Sequence, residues 1–183
     1  YWDEISTEYS AMQNIANICF ARNGLLRNEY QNLYRALFKN HEKHELVINA
    51  LAEKNIGITR LDILKATKMN NGGSLTRILN ELEESGFIKK YTPFGKQKRE
   101  GLFQLTDFYS KFYITFMKNV DLENFDWLAM QDNPKYRAWS GFAFEQVVMQ
   151  HISEIKFALG ISGVHTEISS WRSTNGNNGA QID

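Results

Sequence analysis

The 183-residue chain contains one cysteine, Cys19, so it cannot build an internal disulfide framework. Its four histidines are scattered at positions 41, 44, 151 and 165, which leaves no Cys/His cluster at the spacing structural zinc requires. A reducing cytoplasm is the expected compartment, with Cys19 a small buried hydrophobe. No apolar run approaches the roughly 20 residues of a membrane-spanning helix, and no basic-then-apolar leader opens the chain, so no membrane partner is expected. Phosphate-cradling loops are missing as well. Neither Gly-x-x-x-x-Gly-Lys-Ser/Thr nor Gly-x-Gly-x-x-Gly occurs, and this stretch is not expected to bind ATP. A Gly-x-Ser-x-Gly elbow and a His-Glu-x-x-His helix are also absent. Net charge is lacking too: 21 Lys and Arg balance 21 Asp and Glu, which argues against a surface coated uniformly for nucleic acid. The chain opens at Tyr1 rather than Met and breaks off in Gln181-Ile182-Asp183, and it reads as a fragment of a longer protein.

A hydrophobic content of 43% is enough for a real core, and the most informative stretch is residues 58 to 105. Thr59 is placed to cap a short helix, with Asp62 at the capping-box position. An Asn70-Asn71-Gly72-Gly73 turn follows. Ser74 is then placed to cap a second helix, whose Leu75, Ile78, Leu79 and Leu82 form one apolar stripe that Gly86 ends. Phe87 to Tyr91 and Leu102 to Leu105 read as two strands flanking Pro93-Phe94-Gly95 and a Lys/Arg-rich tip. Helix, turn, helix and a two-stranded wing make a winged helix-turn-helix, a fold that usually binds DNA but often binds protein.

Around this block the chain reads as mainly α. Residues 10 to 21 show helical spacing closed off by Asn23-Gly24. The spacing repeats in 29 to 38, through Tyr30, Leu33, Tyr34 and Leu37, and in 42 to 54, through Leu46, Val47, Ala50 and Leu51. Beyond the wing, Asp107 to Val120 is a helix rich in aromatics, and Phe108, Tyr109, Phe112, Tyr113 and Phe116 are expected in a core rather than as a stacking platform for bases. A linker with Trp127 runs from Asp121 to Pro134. The longest helix is predicted from about Tyr136 to Leu159, with Phe142, Phe144, Val147, Val148, His151, Ile152 and Ile155 along it. A strand over Val164 to Arg172, a turn over Ser173 to Gly179 and a second strand from Ala180 complete the pattern as an incomplete hairpin. The corresponding divisions are 1–40, 41–106, 107–134 and 135–183.

Two constellations could carry function. Residues 60 to 101 hold nine Lys/Arg against five Asp/Glu, whereas 102 to 183 hold six against nine, so positive charge gathers on the helix-turn-helix. Lys65, Lys68, Arg77, Lys96, Lys98 and Arg99 are candidates for DNA phosphates, and Thr76, Arg77 and Asn80 for base edges. Glu81, Glu83 and Glu84 on the same helix oppose that reading if they point at the phosphates, which leaves open a protein-binding or simply solvated face. The second constellation is Glu145 and Asp183. A helical Glu with an Asp at a strand end can hold a divalent metal through hard carboxylate oxygens and activate water against a phosphodiester, although two such carboxylates are also ordinary surface residues.

Four stretches carry a family resemblance: Asn28 to His44, Tyr91-Thr-Pro-Phe-Gly-Lys96 within the winged block, Trp139-Ser-Gly-Phe-Ala-Phe-Glu145, and Gly179-Ala-Gln-Ile-Asp183. Across Asn14 to Asp183 the chain resembles the C-terminal region of a prokaryotic AAA-type ATPase family, in which a winged helix precedes a domain of unknown function related to PD-(D/E)xK nucleases. The resemblance implies that residues 1–40 are a remnant of the ATPase lid and 135–183 the truncated front of an α/β nuclease-like domain. It also implies that ATP and Mg²⁺ belong to the full-length protein, together with self-association through its ATPase core. Phe144-Glu145 matches the family's Phe-Glu pair and Asp183 its first metal-binding Asp, with the partner Glu-x-Lys expected one strand further on. The fragment is accordingly expected to act as a regulatory, DNA-binding portion that is itself inactive. The alternative is an interaction or oligomerisation module that never touches DNA.

Overall fold

The computed structural model describes residues 2–93, 95, 101–121, 124–166, 171–173 and 180–182, with Trp2 and the last two segments described as backbone only. The architecture is mainly α-helical with a small three-stranded antiparallel sheet. In chain order the helices and strands are α1 (Ala11–Ile15), α2 (Glu29–Leu37), α3 (His41–Ala52), β1 (Ile58–Thr59), α4 (Arg60–Thr67), α5 (Gly73–Glu84), β2 (Ile88–Tyr91), β3 (Leu102–Leu105), α6 (Phe108–Phe116), α7 (Pro134–Gln150), α8 (Ile152–Ala158), β4 (Trp171–Ser173) and β5 (Ala180–Ile182).

Ser10 starts α1 with a capping box shared with Gln13, but the helix does not run on regularly to residue 21. From Ala16 to Phe20 it widens into a π-helical turn closed by Ala21 N–H on the Ala16 carbonyl. The extra residue in that turn lets the consecutive Cys19 and Phe20 both reach the core. Cys19 is thus the buried small side chain its sequence setting suggests.

One core cluster joins α2, α3, α4, α5 and the sheet around Tyr34, Val47, Ile48, Leu51, Ile63, Leu75, Ile78 and Leu82. The α5 stripe Leu75, Ile78, Leu79 and Leu82 is buried throughout, as its spacing predicts. On α3 the buried set is His44, Val47, Ile48, Ala50 and Leu51, and Leu46 lies off that face in solvent. On α2 the helix stops at Leu37, which is exposed. The extended backbone of Phe38 turns that ring inward instead, onto His44 and Phe87. A second cluster gathers Cys19, Phe20, Phe112, Phe116, Met117 and Trp127. Helix α6 lies between the two, with Tyr113 stacked on Tyr30 at 4.2 Å on one side and Phe112 against Trp127 at 5.2 Å on the other.

In the main sheet β3 is central, pairing Ile58 with Phe103 on one edge and Ile88 with Leu105 through Tyr91 with Leu102 on the other. The short strand β1 has no counterpart in the sequence pattern. It depends on Gly57, whose φ of +79° comes with so close an approach that an added Cβ would lie 2.6 Å from the Phe103 carbonyl oxygen.

The helix predicted over 136 to 159 is broken at His151, which leaves the helical region at φ −109°, ψ 24°. Its Nδ1 donates to the Val147 carbonyl at 2.8 Å, so the ring competes for an acceptor at the end of α7 and the chain restarts as α8. Residues 164–166, expected to begin a strand, are not in one. Pairing is seen instead between Trp171–Ser173 and Ala180–Ile182, antiparallel as expected for a hairpin. The intervening turn lies outside the described residues. Among the described residues no helix is long and apolar enough to cross a membrane.

Candidate nucleic-acid interface

The helix pair α4–α5 is set by local chemistry at its start. Thr59 Oγ accepts from Asp62 N–H at 3.2 Å, while Asp62 Oδ2 accepts from Thr59 N–H at 3.2 Å and from the Thr59 hydroxyl at 2.7 Å. The Thr59 hydroxyl holds the Asp62 carboxyl below its ordinary range. Helix α4 ends at Lys68 in the left-handed conformation, φ 56°. Helix α5 then begins two residues earlier than the sequence suggests, at Gly73 rather than Leu75. Gly72 is its N-cap and Ser74 lies inside the first turn, because extended Gly72 lets the backbone enter the helix without a side-chain cap. What fixes the entry is Arg60, whose Nε donates to Asn71 Oδ1 at 3.2 Å and Nη2 to the Gly72 carbonyl at 3.1 Å. Sequence reasoning counts Arg60 only as charge.

Burial of the α5 stripe turns Thr76, Arg77 and Asn80 outward, and all three are exposed, as are Lys65 and Lys68 on α4 and its cap. Lys96, Lys98 and Arg99, together with Phe94, lie outside the described residues. Two further cations that sequence reasoning does not single out, Lys89 and Lys90, are exposed on β2. Lys90 Nζ also stands 5.4 Å over the Phe103 ring. Their signal was available in the strand beside the basic loop.

The three carboxylates of α5 are not equivalent. Glu81 Oε2 accepts from Nε2 of His44 at 2.7 Å, while its Oε1 is 3.7 Å from Arg77 Nε. Glu83 Oε1 accepts from the Lys90 backbone N–H at 3.1 Å. Two of the three are therefore occupied within the protein, and Glu84 stands exposed at the end of the helix.

Glu145 is exposed on α7, next to an exposed Phe144. Asp183 lies outside the described residues, so the two are not brought together in the described geometry. Among the described residues no group of three or more His, Cys, Asp or Glu side chains could hold a metal ion. A shallow cleft near the N-terminus, lined by Glu4, Asn17, Asn23 and Leu25, contains neither a basic nor a nucleophilic side chain. No protein-family model, curated protein or solved structure matches the chain.

Proposed function

We propose that residues 41–106 are a winged helix that docks on duplex DNA through phosphate contacts with little sequence preference, with α5 as the helix that enters the major groove. The observation that carries this reading is the sorting of charge on α5. Arg77, Lys65 and Lys68 stand in solvent, while the carboxylate of Glu81, 40% exposed, accepts from His44 and that of the exposed Glu83 accepts from the Lys90 amide. The acidic half of the helix, which by sequence alone opposes DNA, is thereby partly withdrawn. Thr76 and Asn80 are the remaining side chains on that face able to touch base edges. Three or four phosphate contacts correspond to a log–log salt slope of about −3 to −4.

Fluorescence anisotropy across a salt series tests this. Replacing Lys65, Lys68 and Arg77 by Ala is expected to flatten the slope by about one for each phosphate that the protein no longer reaches. Undetectable binding at low salt, or a slope unmoved by the triple substitution, would overturn the reading. One observation favours a second reading. Leu61 is 63% exposed and shares a face of α4 with Lys65, which suits a protein partner or oligomer contact better than a phosphate backbone. Association that Leu61→Ser abolishes, with no DNA binding, would decide for it.

In the resemblance to the AAA-type ATPase family, the chain is the regulatory, DNA-binding portion of a longer cytoplasmic ATPase. ATP and Mg²⁺ act elsewhere in that protein, and its ATPase core drives self-association. Glu145 and Asp183 then belong to a nuclease-like metal site that needs a third acidic ligand and a lysine from outside this chain. Plasmid incubated with the chain and Mg²⁺ or Mn²⁺ should stay intact. Cutting lost in Glu145→Ala would show that the site is complete here.

A further inference from the structure

We infer that His44 is a positioning residue for the DNA-facing helix: it holds the Glu81 carboxylate inward and so leaves Arg77 available to phosphate. The inference rests on the DNA-binding reading and adds a residue from a different helix to it. His44 is 3% exposed on α3, and its ring is fixed from three sides. Phe38 stacks on it at 4.1 Å with the planes 9° apart. Its ring nitrogens face two acceptors, with Nδ1 3.1 Å from the Asn40 carbonyl oxygen and Nε2 donating to Glu81 Oε2 at 2.7 Å. A donor held this rigidly imposes its geometry on the longer and freer partner.

Arg77 competes for the same carboxylate, and the distances decide which wins. Its Nε is 3.7 Å from Glu81 Oε1, and the Arg77 side chain is 62% exposed. A long surface pair of this kind contributes little, whereas a short bond to a charged acceptor from a buried donor is among the stronger ones. Glu81 therefore belongs to His44, and Arg77 remains directed to solvent. Without the His44 donor, the carboxylate one turn from Arg77 and next to Asn80 would swing toward Arg77. It would neutralise that charge and face incoming phosphates. Both effects act within a Debye length, so the loss is a matter of several-fold in affinity at low salt and fades as salt rises.

The test uses the whole chain in four forms: wild type, His44→Phe, Glu81→Gln and the double variant. Phe preserves the stack on Phe38 and removes both ring nitrogens. Binding to a short duplex at low salt is expected to weaken about three- to tenfold in His44→Phe. Glu81→Gln should bind at least as well as wild type, and the double variant should return to within about twofold of Glu81→Gln. A purely structural role for His44 would leave the double variant as weak as His44→Phe, which overturns the inference, as does a His44→Phe protein that binds like wild type. If His44→Phe fails to fold by circular dichroism, the imidazole N–H resonances of the wild type decide the matter. An Nε2–H signal that shifts in Glu81→Gln supports the tether, and one that is missing or unmoved refutes it. Absence of DNA binding in all four proteins would instead bring down the DNA reading itself.

Discussion

Helices α6 and α8 make an instructive pair, since both place aromatic or aliphatic residues at helical spacing yet end in opposite surroundings. On α6, Phe112 and Phe116 are buried in one cluster, and Tyr109 and Tyr113 pack against the other. On α8 no residue is buried, and Phe157 is 80% exposed. Helix α7 shows the change within one element. Its first turns bring Tyr136 and Trp139 onto the Trp127 cluster, whereas Phe144 further along is 69% exposed. Periodicity reports which side chains share a face. Burial additionally needs a second surface, and α6 has one on each side.

The strongest way to break this comparison is to truncate one side chain in each region. Leu79→Ala, inside the first cluster, is expected to cost about 2 to 5 kcal/mol through reduced burial and the cavity left behind. Phe157→Ala is expected to cost less than about 0.5 kcal/mol, as for other exposed positions. Urea melts at several protein concentrations read both. A large, concentration-dependent cost for Phe157→Ala would mean that α8 is covered in solution by another copy.

A subtler contrast lies inside the packed region, where a charge is buried among rings. Lys111 is 8% exposed, donates to the Ala52 carbonyl at the end of α3 at 2.5 Å, and has the Phe142 ring 5.4 Å from Nζ. Burial pushes its ammonium from 10.5 down to about 8. Because the folded-state value is lowered, the unfolded chain binds more protons between about 8 and 10.5, and this group's contribution raises stability as pH climbs through that window. At about 1.4 kcal/mol per pH unit, the gain is roughly 3 kcal/mol at most. Lys111→Met is expected to remove it. The comparison must be made at matched pH, because Cys19 acts with the opposite sign. Its buried thiol is pushed up from 9.0 to about 11, so its contribution is complete below 9 and lost as pH rises through the folded value. Buried Tyr30 and Tyr34 and half-buried Tyr109 shift upward for the same reason. A wild type that gains nothing over Lys111→Met between pH 8 and 10.5 would mean that Lys111 is well solvated.

What the sequence made legible was local. The α5 stripe, the Thr59 capping box, the strands on either side of the basic loop and the burial of Cys19 all follow from rules spanning a few residues. What it hid was tertiary. His44 meets Glu81 across 37 positions and Lys111 meets Ala52 across 59, and no periodicity encodes either. The break at His151 and the π-helical turn depend on single hydrogen bonds competing with a regular helix. Within the candidate interface, the outward set Thr76, Arg77 and Asn80 was readable as the complement of the stripe. The withdrawal of Glu81 was not, because its partner sits on another helix.

The smallest expected effect tests a local rule that misled. Thr59 and Ser74 both precede apolar stripes and both suit an N-cap, yet only Thr59 makes the cap hydrogen bonds. Thr59→Ala should therefore cost about 1 kcal/mol. Ser74→Ala, in the first turn of α5, should be neutral or stabilise by a few tenths of a kcal/mol, since Ala is the better helix former. Acid separates the two further. The Asp62 carboxyl is held below its ordinary value of 3.8 mainly by the Thr59 hydroxyl, so its contribution is present above that value and lost as pH falls through the folded one. The gap between wild type and Thr59→Ala should narrow below pH 3.8, while Ser74→Ala should follow wild type throughout. If Ser74→Ala proves the costlier substitution, α5 in solution is capped by Ser74 and starts at Leu75 rather than Gly73, and the outward set Thr76, Arg77 and Asn80 would need to be placed afresh.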